Sequence, residues 1–266
     1  GGQKIMGRPQ DNAKIKKNAG QKLLGGNAKT KKNIKLGDIT VGTALAPHSM
    51  HGVGGHTACV LSTDECRDGC LGFTTGKNAM LSNLNSKIAK HQTMIAHPEH
   101  FARRMHAELL NHIDGIADYN HGKKQDQRLK ASWRPNMTSD YPTHKWARGM
   151  IDHVTQYAKS RGVDFKVRDY TKVAKRLYEP RASNHFLALS HTGTGHGQSN
   201  DHDVSQALDQ GHTVASVVHG DATHMYDHKT KRLYPMVSGD QDDLIENRHG
   251  QVGHQVHEDG TGSNKA

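Results

Sequence analysis

What most restricts the fold of this chain is an alternation, from about residue 129 onward, of short apolar runs with stretches of helical periodicity. The runs LKASW at 129–133, DFKVRDY at 164–170, HFLALS at 185–190 and TVASVV at 213–218 read as strands. Between the first two, Trp146, Met150, Ile151, Val154 and Tyr157 recur on one helical face and Gly162 supplies a stop; a shorter helix from about Asp203 to Gln210 ends at Gly211. Upstream, Ile39 to Leu45 is a β-branched run that reads as a first strand. It is followed by one amphipathic helix through Leu81, Leu84, Ile88 and Ile95, and by a second, opened by Pro98, through Phe101, Met105, Leu109, Ile113 and Ile116. The polar stretch 118–128 should be a surface connection. Strands separated in this way by helices imply an α/β domain with mostly parallel strands, and we expect a partial (β/α) barrel-like single domain over residues 36–260.

A chain of 266 residues can bury a core without disulfide staples. With 33% hydrophobic residues, it has no stretch approaching a membrane span and no apolar leader core, so a cytoplasmic protein with no membrane partner is expected. The net charge of +10 is concentrated: residues 1–35 hold ten Lys or Arg against the single acid Asp11. Rich in Gly, Asn and Lys, that segment reads as a flexible basic arm, with Leu23 and Leu24 able to dock locally. Lys14, Lys16, Lys17, Lys29, Lys31 and Lys32 would meet nucleic-acid phosphates by releasing counterions; a solubilising tail is the alternative. Residues 261–266 read as a disordered tail.

The 22 histidines are dispersed, so their number says nothing about metal. His219, Asp221, His224 and His228 form one dense group, and Asp240, Asp242 and Asp243 an acidic turn, both read as ordinary solvated loops. The three cysteines are different. They crowd into a Gly-rich loop, residues 46–76, directly after the first strand, as Cys59, Cys66 and Cys70 in C-x6-C-x3-C spacing. An odd cluster of this kind makes a poor disulfide framework and points to an inorganic centre. Three readings stay open. A [4Fe-4S] cluster held by three thiolates would leave one iron open to a ligand; zinc would take a fourth ligand from His48, His51 or His56; or the thiols carry nothing. Placement after the first strand favours the cluster, because that position projects onto the face where the other strands end. The spacing departs from the C-x3-C-x2-C of radical S-adenosylmethionine enzymes.

Polar residues gather just after each strand: Arg134, Asn136 and Asp140 after the first of the four runs, Asp169, Tyr170 and Lys172 around the end of the second, His191, Thr192 and Ser199 after the third, and His219 and Asp221 after the fourth. Parallel strand ends open on one face, where ligands bind. Asp140, Asp169, Tyr170 and Lys172 are the candidate catalytic residues, the carboxylates to take a proton or ribose hydroxyls, Tyr170 and Lys172 to give a proton or meet a phosphate. Asn136, Ser139, Ser190 and His191 are candidates for holding a cofactor.

The blocks LAPHSMHGVGGHTACVLSTDECRDGCLGF, KIAKHQTMIAHPEHFARRM, RPNMTSDYP, DYTK, LALSHTG, VASVV and VSGDQDD, spanning roughly residues 36–260, resemble a family of phage and prophage proteins with a three-cysteine segment. Its members have been labelled predicted components of a phage RNA polymerase, and its loop is similar to that of phage proteins akin to radical-enzyme barrels. By resemblance the matching positions are Cys59, Cys66, Cys70, Asn136, Ser139, Asp140, Asp169, Tyr170, Lys172, Ser190, Asp240 and Asp243. Met137 stands where the family usually has glycine. The expectation is therefore a phage iron–sulfur enzyme acting on a nucleotide or nucleic acid in the host cytoplasm, with S-adenosylmethionine a possible cofactor. The alternative is a zinc-stabilised, non-enzymatic nucleic-acid-binding protein or transcription accessory.

Overall fold

The computed structural model describes residues 22–48, 57–68, 70, 80–192, 199–219, 223–227, 230–238, 244–247 and 251–257. Its strands are β1 (Leu24–Gly25), β2 (Asp38–Thr43), β3 (Lys130–Arg134), β4 (Phe165–Thr171), β5 (His185–Ser190), β6 (Val214–His219), β7 (His224–Asp227), β8 (Arg232–Ser238) and β9 (Val252–His257). The helices are α1 (Ala28–Lys32), α2 (Asp64–Asp68), α3 (Leu81–Ala96), α4 (Pro98–Asn120), α5 (Thr143–Trp146), α6 (Arg148–Ser160) and α7 (Asp201–Asp209).

All of these strands join one sheet in the order β1-β2-β3-β4-β5-β6-β9-β8-β7. From β2 through β6 each strand lies parallel beside the next in sequence, β9 is parallel to both β6 and β8, and only β1 and β7 pair antiparallel. This is the mixed, mostly parallel α/β architecture that the alternation implies. Its limits are β1 and β7, and no pairing joins them among the described residues, so the barrel-like closure is not part of what is seen.

The helices cover one face. Phe101, Met105, Leu109 and Ile113 of α4 recur every three or four residues and are fully buried with Ile151 and Val154 of α6 against Ala131, Trp133, Phe165 and Val167. Each large side chain so buried contributes roughly 1.5–3 kcal/mol. Helix α6 ends where Gly162 takes φ 67°, and α7 where Gly211 takes φ 77°, left-handed values that glycine adopts without strain. A second cluster packs α7, through Val204, Ala207 and Leu208, onto Leu187, Leu189, Val214, Met236 and Val252.

The segment before β2 docks as Leu23 and Leu24 allow. Both are buried, and the Glu108 carboxylate of α4 accepts the N–H groups of Leu23 at 2.9 Å and Leu24 at 2.8 Å. Asn27 then caps α1 by accepting from the Thr30 N–H at 2.9 Å, while the Thr30 hydroxyl accepts from the Asn27 N–H. Residues 1–21 of the basic arm, including Lys14, Lys16 and Lys17, lie outside the described residues, as does the tail 261–266. Lys31 and Lys32 are exposed on α1, where Lys29 also lies.

On the other face, near the beginnings of the strands, Arg168 is sealed from solvent. Its guanidinium meets Asp38 of β2 at 2.9 Å and Glu246 at 2.5 Å, and donates to the Ser132 hydroxyl at 2.6 Å. These pairs tie β2, β3, β4 and the turn before β9 together. No described helix is long and apolar enough to cross a membrane.

Candidate active site at the strand ends

The site is organised by the loop after β3. Asn136 is its hub: the side-chain oxygen accepts from the Ser139 hydroxyl at 2.7 Å and the Tyr141 N–H at 2.9 Å, while Nδ2 donates to the Asp169 carboxylate at 2.7 Å and the Tyr141 carbonyl at 2.8 Å. A buried amide used in this way fixes the loop in one shape. Ser139 therefore acts within the loop, as a brace.

Close packing beneath the loop explains Met137. Its side chain occupies the space that a Cβ on Gly42 would need, and its N–H donates to the Thr43 carbonyl at 3.1 Å. The Met137 side chain is thus accommodated by the missing side chain of Gly42 in the neighbouring strand.

Asp140 joins three segments. Its N–H donates to the Ala58 carbonyl at 2.6 Å, and residue 140 bridges Cys59 in a parallel pair. Its carboxylate accepts the Lys172 N–H at 2.8 Å and the Arg176 guanidinium at 2.5 Å. Arg176, buried in the turn after β4, also reaches the Asp140 carbonyl at 2.9 Å. The sequence reading missed Arg176, since nothing in a Lys- and Arg-bearing loop marks which cation turns inward. The contact to Lys172 runs through its backbone N–H.

Asp169 lies beside this pair at the end of β4. It is buried, and desolvation pushes its carboxyl from 3.8 up to about 7, helped by the charge on Asp140 and opposed by the Asn136 and Tyr170 N–H donors and by Arg134. A carboxyl that keeps its proton to near neutrality is suited to giving one up. Next to it, the Arg134 guanidinium sits 4.6 Å from the centre of the Tyr170 ring, a cation–π contact on the half-buried rim.

The cysteine segment is stitched to the same loop. Beyond the Cys59–Asp140 bridge, the Thr138 hydroxyl donates to the Leu45 carbonyl at 2.6 Å, and the Cys59 thiol lies 3.8 Å from the Thr138 carbonyl. Burial raises the Cys59 thiol to about 12; a backbone hydrogen bond from His48 opposes this, and Asp140, Cys70 and Cys66 add to it. Cys66 and Cys70 therefore each lie within electrostatic reach of Cys59. Lys87 of α3, buried and lowered to about 8 by desolvation, is held up by the charge of Cys70. His48 meets Cys59 through its backbone; His51 and His56 lie outside the described residues.

Among the described residues no three histidine, cysteine or acidic side chains stand close enough to hold one metal ion. In kind, three thiols on one segment are the soft donors that a thiophilic inorganic group takes; burial disfavours ionisation of the Cys59 thiol, and Lys87 lies near Cys70. To ligate one centre, the segment would have to draw the three sulfurs together.

Ser190 and His191 end β5 in a separate arrangement. The His191 ring contacts the Ser216 hydroxyl at 2.9 Å and the Asp201 carboxylate at 2.7 Å, and the Ser190 carbonyl accepts from Asn200 at 3.0 Å. No hydrogen bond links either residue to the Asp140–Asp169 group among the described residues. The His219 side chain, Asp221, His228, Asp240, Asp242 and Asp243 lie outside what the structure describes, and His224 is exposed on β7.

No curated protein and no solved structure matches the chain. The sequence profile of one family, gene product 88, matches residues 10–266, reaching into the basic segment that the motif resemblance had left out. The match covers nearly the whole chain, so the protein belongs to the gene product 88 family, a phage-type family.

Proposed function

We propose that this protein is a phage iron–sulfur enzyme in which Cys59, Cys66 and Cys70 hold a [4Fe-4S] cluster at the end of a partly barrel-like sheet, acting on a nucleotide or nucleic acid. The observation that carries the reading is the seam between the cysteine segment and the strand-end loop: the Asp140 N–H bonds the Ala58 carbonyl at 2.6 Å, next to Cys59, while the Asp140 carboxylate binds Arg176 and the Lys172 N–H beside Asp169. When bound, such a cluster supplies one iron free of protein ligands and a store of electrons.

The chain's own residues divide the remaining work. Asp169, protonated at its buried carboxyl, holds a transferable proton, and Asn136 fixes its orientation. Asp140, locked by Arg176, is an acceptor whose role is to hold the cysteine segment against β4. Arg134 and Tyr170 at the rim offer a cation and a ring face to a nucleobase or phosphate. Lys31 and Lys32, with the lysines of the preceding arm, would engage nucleic-acid backbone, and S-adenosylmethionine is the cofactor candidate for an open iron.

Anaerobic purification tests this directly. Iron with acid-labile sulfide and a broad visible absorption band, lost together in Cys59→Ala, Cys66→Ala and Cys70→Ala, is the expected result. One tightly held zinc per chain would overturn it in favour of a zinc-stabilised nucleic-acid-binding protein of the transcription machinery, and protein free of metal after reconstitution would overturn both.

A further inference from the structure

At the opposite end of the strands, where β5 and β6 begin, lies a cavity of about 370 Å³ that is independent of the cysteine site. Its apolar wall includes Leu177, Phe186, Leu187 and Ile245. The size is within the range of small-molecule pockets, and such pockets pair apolar walls with a few fixed polar groups.

One polar group here is unsatisfied, and a second is a cation with no acid beside it among the described residues. His185 is 3% exposed, and neither ring nitrogen has a hydrogen-bond partner. A buried imidazole without partners is costly, and the expense falls away when a ligand supplies the missing atoms. Desolvation lowers its basicity to about 3, so the ring is neutral and offers one donor and one acceptor. Arg181 is the second. Its Nε donates to the His185 carbonyl at 3.1 Å and its Nη1 to the Leu177 carbonyl at 2.8 Å, which fixes the guanidinium in place. Among the described residues no carboxylate lies within ion-pair distance of it.

The two carboxylates that also line the cavity are already neutralised. Glu179 is paired with Lys145 at 3.3 Å and bonded to His144, and Glu246 is paired with Arg168 at 2.5 Å and Lys166 at 3.2 Å. Arg181 is thus the one lining cation without a counter-charge among the described residues.

We propose that this cavity binds a small organic monocarboxylate, with the carboxylate at Arg181 and the His185 imidazole and the apolar body against Leu177, Phe186 and Leu187. A single unmatched cation favours a monoanion over a dianionic phosphate, and the apolar wall favours a hydrocarbon body over a sugar.

Titration calorimetry of the full chain with benzoate, benzyl alcohol and phenyl phosphate tests the assignment. Benzoate should bind at least about tenfold more tightly than either analogue. Ser183 is exposed at the rim and donates nothing to the Arg181 bonds, so Ser183→Trp should obstruct entry and weaken benzoate by about tenfold or more, with the circular dichroism spectrum unchanged. Absence of benzoate binding, equal binding of benzyl alcohol, tighter binding of phenyl phosphate, or undiminished affinity in a folded Ser183→Trp protein would each overturn the proposal.

Discussion

Replacing Asp169 by asparagine should stabilise the protein in mildly alkaline solution and lose that advantage on acidification. The unfolded carboxyl gives up its proton near 3.8, whereas the buried one holds it to about 7. The unfolded state therefore binds fewer protons over this interval, and the contribution of Asp169 to stability, intact below pH 3.8, declines as pH rises through about 7. At about 1.4 kcal/mol per unit, the interval of roughly three units amounts to about 4 kcal/mol at most. The amide introduced by Asp169→Asn would carry no charge and would escape this loss. It would, however, offer one acceptor to two donors, Asn136 Nδ2 at 2.7 Å and the Tyr170 N–H at 3.0 Å, and stranding one of them costs about 1–2 kcal/mol. The variant should accordingly be about 2–3 kcal/mol more stable than wild type at pH 8 and roughly equal to it near pH 5. Urea unfolding at pH 5, 6, 7 and 8 measures this. A stability difference that does not change with pH, or a variant that is weaker throughout, would refute the claim that the carboxyl is buried with its proton.

Three further perturbations follow from the packing. Gly42→Ala should cost about 1–3 kcal/mol by forcing the new Cβ into the Met137 side chain, with much of the loss recovered in the Gly42→Ala/Met137→Ala double variant; additive costs in denaturant melts would contradict the close approach. Arg168→Met should destabilise by about 3–5 kcal/mol, because Asp38 and Glu246 would remain buried without their cation, and a change below about 1 kcal/mol in the same melts would mean the network is solvated. Glu108→Ala should release the Leu23 and Leu24 amides, read as faster hydrogen exchange at those two residues while the α4 centre stays protected; unchanged exchange would show that apolar burial alone docks the segment.

How far the fold was legible depended on burial. Strands β3 to β6 are apolar runs, and their residues are covered by helices whose own spacing announces them, so pattern and packing agree. Strands β7, β8 and β9 escaped the reading. RLYPMVS carries Pro235, which argues against a strand, and VGHQVH is half polar. They form because β8 is held between β7 and β9, and β9 between β6 and β8, where backbone hydrogen bonding offsets weak side-chain preference. In the site, Asn136, Asp140 and Asp169 were marked by their place after strands, whereas Arg176, Gly42 and Thr138 were not, because their roles exist only once separate segments meet.

The chain's periodicity by itself determined that it would form a mostly parallel α/β sheet clothed by helices, and its three cysteines determined what chemistry the loop after β2 could offer. Only the tertiary structure decided which polar residues share a site. It brought residue 140 against residues 58 and 176 and the backbone N–H of Lys172. The reason is physical: periodicity records which side of an element avoids water, a local property, while the pairing of buried charges is set by long-range geometry that many sequences of the same pattern would arrange differently.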